Sequence, residues 1–99
     1  MGRVFSKTFS SAHFSLKSRG NAEKNNRFAI IISNKAIPKS TRRHLFKRFF
    51  ANQLEAWPDI AKDCIIIVSP MIEAAERETV ISEIDEALKI LQKKNGTTI

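Results

Sequence analysis

Arg42, Arg43, Lys47 and Arg48 crowd about two helical turns, with His44 among them and Lys35 and Lys39 just upstream. Cations at a helix N-terminus oppose the macrodipole, and at i, i+4 spacing they repel one another. Fold stability gives no reason to gather them there. Phosphates do, because each neutralised phosphate releases counterions from a polyanion. Phe9, His13, Phe14 and Lys17 form a second candidate group, able to stack on and clamp single-stranded bases. Phe14 alternates with Ala12 and Leu16, so it also reads as core. His44 can pair with a phosphate, stack on a base or simply be solvated.

Catalytic readings find little support. The three glycines, Gly2, Gly20 and Gly96, are too scattered to build a phosphate-cradling loop. Cys64 lies inside the apolar run CIIIV and reads as a small core residue. Glu73, Glu76, Glu83, Asp85 and Glu86 are spaced like the solvated face of a helix. One cysteine and two histidines cannot supply the four ligands of a structural zinc without carboxylates. No catalytic residue and no metal ligand is assigned.

The elements that must position these groups follow from periodicity. Residues 4–9 and 12–18 read as short extended segments, the second with Ala12, Phe14 and Leu16 on one face and His13, Ser15 and Lys17 on the other. The polar stretch 18–26 is a loop. Residues 27–33, RFAIIIS, form a β-branched run expected to be a central strand covered on both faces. Pro38 with a capping Ser40 or Thr41 starts a helix that Pro58 stops. At 100° per residue its core side should hold Leu45, Phe46, Phe49, Phe50, Gln53, Ala56 and Trp57. Arg43, His44, Lys47 and Arg48 take the other side. Residues 62–70 repeat the buried-strand signal. A last helix shows Val80, Ile81, Ile84, Leu88 and Leu91 inward and Glu83, Asp85, Glu86 and Lys93 outward, with Asn95-Gly96 as its C-cap. The expected fold is α+β, order β-β-β-α-β-α, with helices on one face of a small mixed sheet of about four strands.

Composition bounds the rest. Ninety-nine residues make one domain, 1–99. The net charge of +7 is unevenly split: residues 1–50 hold twelve Lys/Arg and one acid, residues 51–99 five Lys/Arg and nine acids. A +11 half joined to a −4 half points to a polyanionic partner. A single cysteine excludes an internal disulfide and argues against a disulfide-linked partner, so a reducing, cytoplasmic compartment is expected. No apolar run approaches the roughly 20 residues that span a bilayer, and the first residues lack the apolar stretch of a secretory signal.

In order and spacing, the blocks FSSAHFSLK, RFAIIISNK, TRRHLFKRFF and DCIIIVSP, followed by a Leu/Ile helix, resemble the protein subunit of bacterial ribonuclease P. Ser33-Asn34-Lys35 stands for that family's Ser-Lys-Lys signature, Arg42 to Arg48 for its Arg-Asn-Arg-x-x-Lys-Arg core, and Asp63 to Pro70 for its fourth strand. The likeness covers about residues 4–94. Asn34 replaces a family lysine, Arg43 and His44 replace Asn and Arg, and Phe46 and Phe50 take positions usually basic or polar. Family members begin with a basic helix before the first strand, forming one wall of the cleft that grips the 5′ leader, and no counterpart is expected here.

The resemblance implies a fold like the second domain of ribosomal protein S5, with a left-handed β-α-β crossover. It implies RNA binding by Lys35, Lys39, Arg42, Arg43, His44, Lys47 and Arg48, and leader contacts from Phe9, His13, Phe14 and Lys17. The implied activity is endonucleolytic removal of the 5′ leader from precursor tRNA. Ribonuclease P RNA carries the chemistry with Mg²⁺ held mainly by the RNA, and the protein is an accessory subunit. Two alternatives stay open: a non-catalytic RNA-binding module on the same scaffold, with a ribosomal or regulatory partner, and a protein-interaction domain using the acidic last helix.

Overall fold

Apolar residues at alternate strand positions set which side of the sheet is buried. The computed structural model describes residues 4–95. They run β1 (Ser6–Ser10), β2 (Phe14–Gly20), β3 (Arg27–Ile31), α1 (Ser40–Glu55), β4 (Lys62–Val68), a 3-10 turn (Pro70–Ala74) and α2 (Arg77–Asn95). The order is the expected β-β-β-α-β-α, with the 3-10 turn added. That turn starts at Ser69-Pro70, where the Ser69 hydroxyl accepts the Met71 amide at 3.1 Å. The sequence pattern had shown only the end of a strand there.

The sheet order is β1-β2-β4-β3. β2 pairs antiparallel with β4, placing Leu16 opposite Ile66 and Phe14 opposite Val68. β3 runs parallel to β4, with Ile30 opposite Ile66. The inner face therefore carries Phe14, Leu16, Phe28, Ile30, Cys64, Ile66 and Val68, and both helices pack on it. Burial pushes the Cys64 thiol up to about 11, which keeps it a neutral core group.

Two expectations are corrected here. β3 is an edge strand, not a central one: among the described residues it pairs only with β4, and Ile31 on its outer side is 48% exposed. A short apolar run reads alike whether or not its second face is covered. The central strand is β4. The apolar stripe of α1 is also rotated from expectation. Phe50, Leu54 and Trp57 are buried at i, i+4, i+7, while Leu45 is 54% exposed and Ala56 faces solvent. Leu54, absent from the expected core side, lies at its centre. The N-cap of α1 is Lys39, and neither Ser40 nor Thr41 caps it.

α2 buries Val80, Ile84 and Leu91 as expected, while Ile81 and Leu88 are half-buried and Ala87, not among the expected inward residues, is fully buried. The Gly96 of its expected C-cap lies outside the described residues.

Face assignment gives a direct test. Ile66, 1% exposed, and Ile67, 37% exposed, are neighbours on opposite faces of β4. Ile66→Ala should cost about 2–5 kcal/mol, and Ile67→Ala well under half of that, by urea unfolding. The reverse ranking would mean the sheet is turned the other way.

Candidate nucleic-acid interface

The cationic helix is held by the connection that precedes it. Ile37 is fully buried and pins the chain between β3 and α1. Ser33 closes a turn, accepting the Ala36 amide with its hydroxyl at 3.0 Å and the Ile37 amide with its carbonyl at 3.1 Å. Lys35 is exposed on that turn.

Arg43 does something other than expected. Arg43, Phe46, Phe50, Leu54 and Trp57 follow i, i+3, i+7, i+11, i+14, so Arg43 extends the inward stripe. It is half-buried, and its Nη1 donates to the carbonyls of Ile37 and Pro38, each at 2.9 Å. The guanidinium thus ties the helix to its own connection where no side-chain cap is present. Its placement on the outer cationic face is corrected accordingly.

Lys39, His44, Lys47 and Arg48 are exposed, and no hydrogen bond or ion pair among the described residues engages their side chains or that of Lys35. Arg42, on the flank towards the 3-10 turn, meets Glu73 at 3.2 Å and lies 5.1 Å from the Phe46 ring centroid. Both partners of that pair are largely exposed, so it contributes about 0–1 kcal/mol. Six of the seven expected RNA-binding residues are therefore solvent-facing, on one helix and the turn before it.

The second expected group is not brought together. Phe14 is 2% exposed and stacks edge-on with Phe50 at 5.4 Å, so it is core and cannot touch a base. Phe9 is half-buried against Phe14. His13 Nδ1 lies 2.9 Å from Glu83 Oε1, which also accepts from the Ser11 hydroxyl at 3.0 Å. Glu83 was expected outward. It falls three residues after Val80 and four before Ala87, on the margin of the buried stripe, and fastens α2 to the β1–β2 turn.

Lys17 alone of that group faces the uncovered side of the sheet. There the register sets Lys7 opposite Lys17, like charges that destabilise a cross-strand pair. Ala29, Ile31, Ile65 and Ile67 share this open face. Lys7, Ile31 and Ile67 were missed because hairpin register and edge position decide them, and neither is visible in local periodicity.

An ionic row closes one end of the open face. Arg27 is bidentate on Asp63, with Nε to Oδ1 at 2.8 Å and Nη2 to Oδ2 at 2.9 Å. Asn21 donates at 2.9 Å and Arg19 at 3.1 Å. The Arg27 hydrogen bonds, then those from Asn21 and Arg19, hold the Asp63 carboxyl well below the usual carboxylate range, against the cost of burial. Asp63 in turn raises the Arg27 pKa. Among the described residues no group of His, Cys, Asp and Glu could hold a metal ion, and no helix is long and apolar enough to cross a membrane.

The sequence pattern of the Ribonuclease P family matches residues 3–92. The chain belongs to the ribonuclease P family. Its fold is that of solved family proteins. RNase P protein from Thermotoga maritima is 22% identical with a TM-score of 0.72, covering 86% of this chain and 82% of that one. Staphylococcus aureus RNase P protein is 19% identical with a TM-score of 0.73, covering 88% and 81%. A mutant of the latter, with defective mRNA degradation activity, is 20% identical with a TM-score of 0.74, covering 89% and 75%. No curated protein sequence matches the chain. Of the residues in this helix, Arg43 is committed to the connection and Phe50 to the core against Phe14.

Two outcomes are expected. Arg43→Ala should cost about 1–2 kcal/mol in urea unfolding, while Arg48→Ala stays within about 0.5 kcal/mol; equal effects would contradict the clamp. Asp63 has a folded pKa below its ordinary 3.8. Its stabilisation is therefore complete above that value and is lost as pH falls through the folded one. Asp63→Asn should lower the neutral-pH urea midpoint and flatten the acid limb below about pH 4. A variant with the parent's acid limb would show that Asp63 does not set it.

Proposed function

We propose that the chain is the protein subunit of ribonuclease P, binding the catalytic RNA and assisting removal of the 5′ leader from precursor tRNA. The observation carrying this reading is the set Lys35, Lys39, Lys47 and Arg48, with His44: exposed, on the first half of α1 and the connection before it, and without anionic partners among the described residues. Arg42 adds to it through a weak, replaceable ion pair. Each phosphate that such a cation neutralises releases counterions from the nucleic acid, which favours binding.

The open sheet face supports a place for the single-stranded leader. Lys7 and Lys17 repel until an anion lies between them, and Ile31 and Ile67 offer apolar surface beside them. Lys17 keeps its expected role in this reading, and Lys7 joins it. Phe14 drops out.

The protein's part is charge and positioning. Phosphodiester hydrolysis needs a positioned base or a metal-held water, and the first fifty residues hold one acid, Glu23. Mg²⁺ held by the RNA would supply the metal-held water. The chain's cations screen RNA–RNA repulsion, so less Mg²⁺ is needed to fold the RNA and dock its substrate. A single buried thiol suits the reducing cytoplasm, where we place the protein.

Filter binding across salt tests the interface. With about five phosphates engaged at roughly −0.7 each, the log–log slope should be near −3 to −4, and Lys47→Ala with Arg48→Ala should flatten it by about 1–1.5. An unchanged slope would remove α1 from the interface. Single-turnover cleavage of precursor tRNA by a cognate catalytic RNA, across a Mg²⁺ titration, tests the function. The protein should lower the Mg²⁺ requirement and, freed of RNA, cleave nothing. Cleavage by the protein alone would overturn the mechanism, and absence of stimulation would favour a non-catalytic RNA-binding module.

A further inference from the structure

A cleft of about 290 Å³ lies between α1, the 3-10 turn and α2, near the lower end of the roughly 300–1,000 Å³ of small-ligand sites. Ile72 and Val80 are among its apolar lining, and Phe46 and Phe49 form a wall. Arg42 lies 5.1 Å from the Phe46 ring centroid, and Arg77 lies 5.2 Å from that of Phe49. Two guanidinium groups thus stack on two phenyl rings of one helix at the edge of one cleft.

The arginines are poorly explained by folding. Arg77 is the first residue of α2, where a cation opposes the macrodipole. It has no hydrogen bond or ion pair among the described residues, only the Phe49 ring contact. Arg42 has Glu73 on its Nε, leaving its terminal nitrogens for another acceptor. Leu45 lines the cleft and is 54% exposed. An anion alone would not need the apolar lining, and a hydrocarbon would not need the arginines. A nucleotide has use for both, since its base has a π-face to stack on phenyl and guanidinium planes and its phosphate pairs with arginine.

We propose that this cleft receives one unpaired nucleobase of the RNA bound along α1, with the adjoining phosphate held by Arg42 and Arg77. The proposal rests on the reading of α1 as the RNA-facing helix: a strand held by Lys39 and Arg48 passes near the cleft, whose wall is another side of that helix. An acidic peptide with an aromatic side chain satisfies the same chemistry without using the neighbouring cations, and is the competing outcome.

Titration of the full chain, followed by the methyl resonances of Leu45, Ile72 and Val80, tests this with adenosine 5′-monophosphate, ribose 5-phosphate and a peptide of alternating Asp and Phe. The adenosine nucleotide should shift all three residues saturably and bind about fivefold or more tightly than ribose 5-phosphate, the low end of what stacking one base contributes. Ala75→Phe, which fills the cleft, and Leu45→Glu, which sets a like charge near the phosphate at an exposed position, should each abolish the shifts of Ile72 and Val80. Ala75→Phe should flatten the salt slope of RNA binding by no more than about 0.7, the share of one phosphate. Equal affinity for ribose 5-phosphate, saturation by the peptide with the nucleotide silent, or nucleotide binding undiminished in Leu45→Glu would each overturn the proposal. If Lys47→Ala with Arg48→Ala leaves the salt slope unchanged, the α1 reading fails by itself, independently of the nucleotide titration.

Discussion

β4 is hydrogen-bonded on both sides, antiparallel to β2 and parallel to β3, and the position of every other element follows from that. A parallel neighbour cannot be reached by a tight turn, so the chain must leave β3, cross the sheet and return. α1 is that crossover. Its inward stripe is committed to the sheet by Phe50, Leu54 and Trp57, and the remaining surface is free to carry charge. The same strand turns Cys64, Ile66 and Val68 to the helices, which obliges Ile65 and Ile67 to the open face. One residue of slippage would exchange the two sets.

The arginines and lysines fall into two populations that composition does not separate. Arg27 and Arg19 converge on Asp63 across three strands, and Arg43 holds two backbone carbonyls before α1. These charges are neutralised or hydrogen-bonded within the protein and hold the scaffold. Lys35, Lys39, Lys47 and Arg48 have no such partner among the described residues and stand exposed. Lys7 and Lys17 stand in the same condition on the open face. The basic half of the chain is therefore a scaffold held by some of its cations that presents the others.

α2 belongs to this arrangement. Its acidic residues include Glu83, which fastens the helix to the β1–β2 turn through His13 and Ser11. Its first residue, Arg77, stands across the cleft from α1. The acidic half of the molecule thus contributes packing on one side and a cation on the other.

Element types and order were legible in the sequence because period-2 and period-3.6 patterns are local, and so was the cationic cluster around Arg42 to Arg48. The ribonuclease P likeness was legible too, since it lies in the spacing of blocks. Three features required the tertiary structure. β3 became an edge strand because partner choice is set by the path of the crossover, and RFAIIIS reads the same in the middle or at the margin. Arg43 left the outer face because the α1 stripe is aimed by Leu54 and Trp57 against Phe28 and the sheet, a rotation that residue type alone leaves open. Phe14, His13 and Glu83 were assigned by contacts between residues about seventy positions apart, or by burial beneath α1. Sequence by itself determined which elements form and how much charge they carry. The tertiary structure decided which charges stay unpaired, because pairing depends on which distant residues the packed core brings within hydrogen-bond reach.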